Sequence, residues 1–143
     1  ERRSAALVPV LSAYGVSRVL TSPSERCLRT VEPFTDAAGV RLRTRTGLSE
    51  EGFEADPRTA PAHLGRLLDR GEPAVLCTHG PVLPSLLDDL EGRLDLDQPA
   101  SVEIIEEFAE ARDDRLAKGE ALVCHIVGTG DDARIVAVER HLP

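Results

Sequence analysis

The sequence predicts an α/β protein, a three-layer α/β/α sandwich with a mostly parallel sheet and a C-terminal antiparallel hairpin. Three observations carry this. Short strand patterns alternate with helical patterns through most of the 143 residues, the arrangement that builds parallel sheets covered on both faces. Ala74-Val75-Leu76-Cys77-Thr78 is a nearly continuous apolar run, as in a central strand buried on both sides. The chain then closes with two strand patterns around Gly128-Thr129-Gly130-Asp131-Asp132, a hairpin that makes the sheet mixed.

The elements follow in order. Ala6, Leu7, Val10, Leu11 and Tyr14 lie at helical spacing, with Gly15 as the stop and Pro9 as a kink. Residues 16–21 form a short strand pattern. Ser22 suits an N-cap and Pro23 the first helical turn. That helix runs towards Ala38, with a break expected at Pro33 and a stop at Gly39. Residues 40–44 alternate as a half-exposed strand, and Thr46 to Ala55 reads as a loop. Asp56-Pro57 opens a helix that carries Leu64, Leu67 and Leu68 and ends at Gly71. Further helices are expected near Leu83–Leu90 and, with an acidic solvated face, across Ser101–Ala117. Ala121–Val127 and Arg134–Glu139 are the hairpin strands.

The composition suits a single domain over residues 1–143: 41% apolar and 29% charged, with 3% aromatic residues, so aliphatic side chains must fill the core. The net charge of −8 disfavours a nonspecific nucleic-acid binder. Cys27, Cys77 and Cys124 match no metal or redox spacing and read as small buried hydrophobes of a reducing compartment. No apolar run is long enough for a membrane span, and no signal peptide opens the chain, so the expectation is a cytoplasmic protein without a membrane partner. The chain contains no methionine, and the expectation is that these residues are the later part of a longer polypeptide.

In doubly wound folds ligands sit beyond the carboxyl ends of the strands, and two strand–helix junctions there are chemically loaded. At the first, a helix N-terminus offers unpaired N–H groups to an anion, and Arg26 adds a guanidinium fork that matches two phosphate oxygens. At the second, His79 stands directly after the apolar strand and before Gly80, where an imidazole can bind an oxyanion or pass a proton. The loop at Leu48-Ser49-Glu50-Glu51 adds carboxylates able to act as general acid if burial or an anionic substrate raises their pKa.

Ser22-Pro23-x-x-Arg26-Cys27-x-x-Thr30, then Leu48-x-Glu50, then Thr78-His79-Gly80, in this order, resembles the histidine phosphatase superfamily, the phosphoglycerate mutase-like enzymes. The likeness extends from the first helix to the last hairpin. It is nearest to the phosphatase domain of bacterial Nudix hydrolase fusions, on Thr30-Val31-Glu32-Pro33 and Leu48-Ser49-Glu50-Glu51. The resemblance implies a phosphohydrolase of small phosphorylated molecules, nucleotides by the Nudix likeness, working through a phosphohistidine without metal or cofactor. By it, Arg26 matches the phosphate-binding arginine, His79 the second histidine, which also grips phosphate, and Glu50 the proton donor, with Glu51 adjacent. An upstream Nudix domain and a homodimer are the partners it suggests. The alternative is a degenerate module that binds phospholigands or mediates dimer contacts without catalysis.

The superfamily's first motif, Arg-His-Gly, occurs nowhere in these residues, and no nucleophile is assigned. His63 falls in a helix, His125 in a hairpin strand and His141 in the terminal tail, each read as structural or exposed. The expectation is that the strand bearing the first motif is missing from between the strands that end at Thr21 and Thr78.

Overall fold

The computed structural model describes residues 2–143, Arg2 by its backbone alone. Helix α1 spans Arg2–Ala13, strand β1 Arg18–Thr21, α2 Glu25–Ala38 and β2 Leu42–Thr44. A 3₁₀ turn at Thr46–Leu48 leads into α3 (Glu50–Ala55), then α4 (Thr59–Arg70) and β3 (Ala74–Cys77). Helices α5 (Leu83–Glu91) and α6 (Ala100–Asp114) precede β4 (Ala121–Val127), a second 3₁₀ turn (Gly130–Asp132) and β5 (Arg134–His141).

β2, β1 and β3 form a parallel sheet in that spatial order, with Val19 opposite Val75 and Leu20 opposite Leu76. Successive side chains of a strand face opposite sides, and this alternation builds the layers. Val19, Val75 and Cys77 turn to a core shared with Leu7 and Leu11 of α1 and Val31 and Phe34 of α2. Leu20, Ala74 and Leu76 turn the other way, to Ala60 and Leu67 of α4, Leu86 of α5 and Leu48. A third core joins α5 and α6 to the hairpin through Leu87, Ile104, Phe108 and Ile135.

β1 and β3 pair directly, so no strand is missing between the strands ending at Thr21 and Thr78. Among the described residues the unpaired edges of this sheet lie on the far sides of β2 and β3. That corrects a second expectation: β3 is not a central strand buried on both faces but an edge strand, each of its residues half-buried. The hairpin does not extend the parallel sheet into a mixed one. Among the described residues β4 and β5 form a sheet of their own, kinked by an irregularity at His125/Ile126, and His141 belongs to β5, not to a tail.

Local expectations changed where packing outweighed propensity. Pro33 does not break α2. An internal proline costs about 3 kcal/mol, but the next turn buries Phe34, and the turn before buries Val31, each worth about 1.5–3 kcal/mol. Pro9 likewise lies within α1 on an exposed face. The N-cap of α2 is Ser24, whose hydroxyl accepts from Cys27 N–H at 3.3 Å. Ser22 instead prolongs the sheet, its N–H donating to Cys77 O at 2.9 Å. The loop expected over 46–55 holds the 3₁₀ turn and α3, because Leu48 is an anchor with no exposure and Ser49 caps the helix by accepting from Gly52 N–H at 3.0 Å. A Cβ on Gly52 would run into the Thr46 carbonyl, so this tight turn requires glycine.

Polar ties fasten the hairpin to the helices. Tyr14 at the end of α1 donates to Glu139 of β5, and Arg112 of α6 pairs with Asp88 and Glu91 of α5. Arg140 of β5 grips Glu120 with bonds of 2.9 and 3.2 Å. That grip, aided by the Ala117 N–H, holds the Glu120 carboxyl below its ordinary pKa. A depressed carboxylate pKa stabilises the fold fully above the unfolded value, near 4.3, and the contribution disappears as pH falls through the folded value. Glu120→Gln is therefore expected to lower Tm by about 5 °C at pH 7. In thermal melts followed by circular dichroism, the difference from wild type should shrink steadily below about pH 4.

Candidate active site

The loaded junctions meet beyond the carboxyl ends of β1 and β3. Because Thr21 pairs with Cys77 in register, the residues that follow each strand emerge side by side. Ser22 is fully buried, and its hydroxyl lies 2.9 Å from His79 Nε2. The same hydroxyl accepts from Ser24 N–H at 3.3 Å, so one serine sets both the entry into α2 and the orientation of the imidazole. Gly80 follows on the chain, and Thr78 Oγ1 donates to Leu48 O at 2.6 Å. This bond ties the end of β3 to the turn that launches α3 with Glu50.

The three residues singled out from the sequence stand on these junctions in different settings. His79 is half-buried. Arg26 is exposed on the first turn of α2, and Glu50 and Glu51 are exposed on the first turn of α3. Among the described residues no hydrogen bond or ion pair involves the Arg26 guanidinium or the Glu50 carboxylate, and none joins either to His79. The firm contact at the site is therefore His79 with Ser22.

A pair of thiols underlies the imidazole. Cys27 Sγ lies 3.7 Å from His79 Nε2 and 3.7 Å from Thr78 O. Cys77, whose thiol donates to the Cys27 backbone carbonyl at 4.0 Å, then Ser24 and the charge of His79, pull the Cys27 pKa down against its burial. The Cys77 pKa is pushed up by that contact and by desolvation of its thiol. Both cysteines read from the sequence as inert small hydrophobes. Cys27 is indeed buried, but the spacing of Cys27 and Cys77 gave no sign that the two meet beside a histidine.

Arg115 is a further residue that the sequence did not reveal. It follows α6 with φ 61° and ψ 174°, a conformation almost confined to glycine that costs about 1–3 kcal/mol. It is the one non-glycine with positive φ among the described residues. Its side chain lies over the residue next to His79: a Cβ on Gly80 would come within 2.9 Å of Arg115 Cδ and Nη1. Only proximity in the fold connects position 115 to this site.

The other histidines are engaged elsewhere. His63 is buried in α4, its Nδ1 3.0 Å from Arg66 Nη1. His125 Nε2 is 3.2 Å from Glu139 Oε1, and His141 Nε2 is 3.0 Å from Tyr14 OH. No group of three or more His, Cys, Asp or Glu able to hold a metal occurs among the described residues, and none of the helices there is long and apolar enough to cross a membrane.

With this geometry in place, the relatives become informative. The model of the histidine phosphatase superfamily, branch 1, matches residues 1–58, a stretch that holds Ser22, Arg26 and Glu50 but ends before His79. Residues 1–58 are thus similar to that superfamily, over less than half of the chain. The mixed α/β arrangement, with its parallel three-stranded sheet and closing hairpin, is consistent with the phosphoglycerate mutase-like fold expected of that superfamily. The chain is also similar to an 8-oxo-(d)GTP phosphatase of Mycolicibacterium smegmatis (strain ATCC 700084 / mc(2)155), 31% identical over 83 residues. The alignment takes in 58% of this chain and 26% of that protein's length.

The Ser22 hydroxyl is the shared support of His79 and of the α2 entry. Ser22→Ala leaves the Ser24 N–H and His79 Nε2 without this partner in a buried setting, at an expected cost of about 1–3 kcal/mol. Urea denaturation should show a lowered midpoint with an unchanged slope.

Proposed function

We propose that this chain supplies the phosphate-gripping half of a histidine-type phosphatase. Such an enzyme hydrolyses a small phosphorylated molecule, a nucleotide by the name of the similar M. smegmatis protein, through a phosphohistidine. The single observation that carries the reading is His79 held by Ser22 at the junction whose helix bears Arg26. A loose phosphoryl-transfer transition state spreads charge over three oxygens, so fixed cations and N–H donors supply most of the stabilisation. In this scheme Arg26, His79 and the first N–H groups of α2 cradle those oxygens. Glu50 protonates the leaving oxygen, with Glu51 adjacent for the same task. Arg115, held over Gly80 at a backbone cost, contacts the anionic part of the substrate next to the transferred group.

The attacking histidine belongs to a strand outside these residues. β1 occupies one side of β3, so that strand would pair along the free edge of β3 and deliver its carboxyl end beside His79. A Nudix domain upstream and a homodimeric assembly are part of the same proposal, on the sequence likeness alone, as is a cytoplasmic setting.

A second reading, a phospholigand-binding module without catalysis, is favoured by one observation. None of His63, His125 and His141 stands at the His79 junction, each being occupied elsewhere.

Released orthophosphate from a panel of nucleotides and phosphosugars, measured on a polypeptide that carries the attacking histidine as well as these residues, separates the two. For the enzyme, Arg26→Ala and His79→Ala are each expected to lower the rate at least about a hundredfold, and wild-type turnover in either variant would remove that residue from the mechanism. For the module, wild-type protein binds phosphorylated ligands and releases no phosphate. Arg115→Gly gives a separate check. It relaxes the strained backbone and removes the guanidinium, so Tm should rise by about 2–4 °C while KM for the substrate increases. A fall in Tm with unchanged KM would make Arg115 a structural residue only.

A further inference from the structure

A cluster of positive charge lies away from the His79 junction, along the face of the sheet. A cavity of about 330 Å³ is lined by Arg18, Arg45, Arg66 and Arg70, with His63 and Asp69 among the remaining walls. Its floor is the β1 face that carries Leu20, and its side is α4. Neither Arg26, Ser22 nor His79 lines it.

The arrangement follows from register. Arg18 and Leu20, two residues apart, share the face covered by α4, and Arg43 stands opposite Leu20 in the β1–β2 pairing, on that same face. On α4, His63, Arg66 and Arg70 recur at spacings of three and four, which places them on one side of the helix. Two separate elements thus turn cations towards a common space.

Local acids do not balance them. Glu72 lies 3.7 Å from Arg18 Nε and 3.5 Å from Arg70 Nη2, and Asp69 is the other carboxylate. Arg18 Nε is buried without a hydrogen-bond partner, since 3.7 Å is too long for one. Mutual repulsion is evident at Arg43, whose pKa is lowered by Arg18 first and then by Arg41, Arg45 and Arg70. In a protein of net charge −8, a basic hollow of this size is a site for concentrated negative charge.

We propose that the hollow between α4 and the β1–β2 face binds a small polyanion, a ligand with two or more closely spaced oxyanion groups such as an oligophosphate. Guanidinium forks match such oxygens in pairs. The proposal is independent of the phosphatase reading, because the residues involved are different.

His63 provides an internal reporter. Its Nδ1 accepts from Arg66, which leaves the proton on Nε2, and burial, Arg66 and Arg45 hold its pKa down. A polyanion seated among these arginines offsets their charge, so the imidazole should titrate at higher pH when the site is filled. The experiment follows the His63 ring by NMR across pH, with inorganic pyrophosphate, orthophosphate and citrate as probes, and measures affinity by calorimetry at low salt. Expected are an upward His63 shift with pyrophosphate and binding at least tenfold tighter than orthophosphate. In the doubly substituted Arg66→Gln/Arg70→Gln protein, both positions being exposed on α4, pyrophosphate affinity should fall at least tenfold. Citrate acting as strongly as pyrophosphate would identify polycarboxylates as ligands too, and pyrophosphate acting alone would identify phosphates; both outcomes support the site. Arg26→Gln should leave the His63 shift intact, which separates this site from the His79 junction. A His63 titration unmoved by pyrophosphate, equal affinity for orthophosphate, or undiminished binding in the double variant would overturn the proposal.

Discussion

The pairing of β1 with β3 governs the molecule. Its register, Thr21 opposite Cys77 and Ser22 N–H on Cys77 O at 2.9 Å, brings two distant stretches of chain out of the sheet together. Slip that register by one residue and every side chain changes face. Val19 and Val75 would leave the α1–α2 core, Leu20 and Leu76 would leave the α4–α5 core, and Ser22 would no longer meet His79. Core packing and site geometry are thus specified by one ladder, and the two apolar cores lock it from both sides.

The same alternation explains where charge accumulates. Arg43 of the edge strand β2, whose backbone pairs with β1, and Arg45 just beyond it stand beside Arg18 and the α4 arginines despite repulsion. At the other end of the site region, Arg115 occupies backbone space that suits glycine. Neither arrangement is one that stability alone would select, since each places unfavourable electrostatics or strain where a neutral residue would fit better. One borders the hollow beside α4 and the other the His79 junction.

Beneath His79, the Cys27–Cys77 pair is a buried polar contact in an otherwise apolar layer. The Cys27 thiol donates to Thr78 O and the Cys77 thiol to Cys27 O, with the Cys27 pKa drawn down by the groups around it and that of Cys77 pushed up. Such a contact is favourable only because Ser22, Ser24, Thr78 and His79 crowd the same spot and supply partners. The neighbourhood is satisfied as a network, which makes the imidazole's position a collective property of several side chains.

By itself the sequence determined the alternation of helices and strands, the closing hairpin, the superfamily likeness of the stretch around Ser22 and Arg26, and the placement of His79 at a strand end. These are properties of short windows: apolar period, capping residues, and a few residues at fixed spacing. The tertiary structure decided everything that depends on partners distant in sequence. It made β3 an edge strand next to β1, kept α2 whole through Pro33 because Val31 and Phe34 bury around it, moved the cap from Ser22 to Ser24, and turned an apparent loop into α3 by anchoring Leu48. It also assembled what no window could display: Ser22 with His79, Cys27 with Cys77, Arg115 over Gly80, and arginines from three elements around one hollow. The physical reason is that local propensity is worth a few tenths of a kcal/mol per residue, whereas each buried side chain contributes about 1.5–3, so long-range packing has the final word wherever the two disagree.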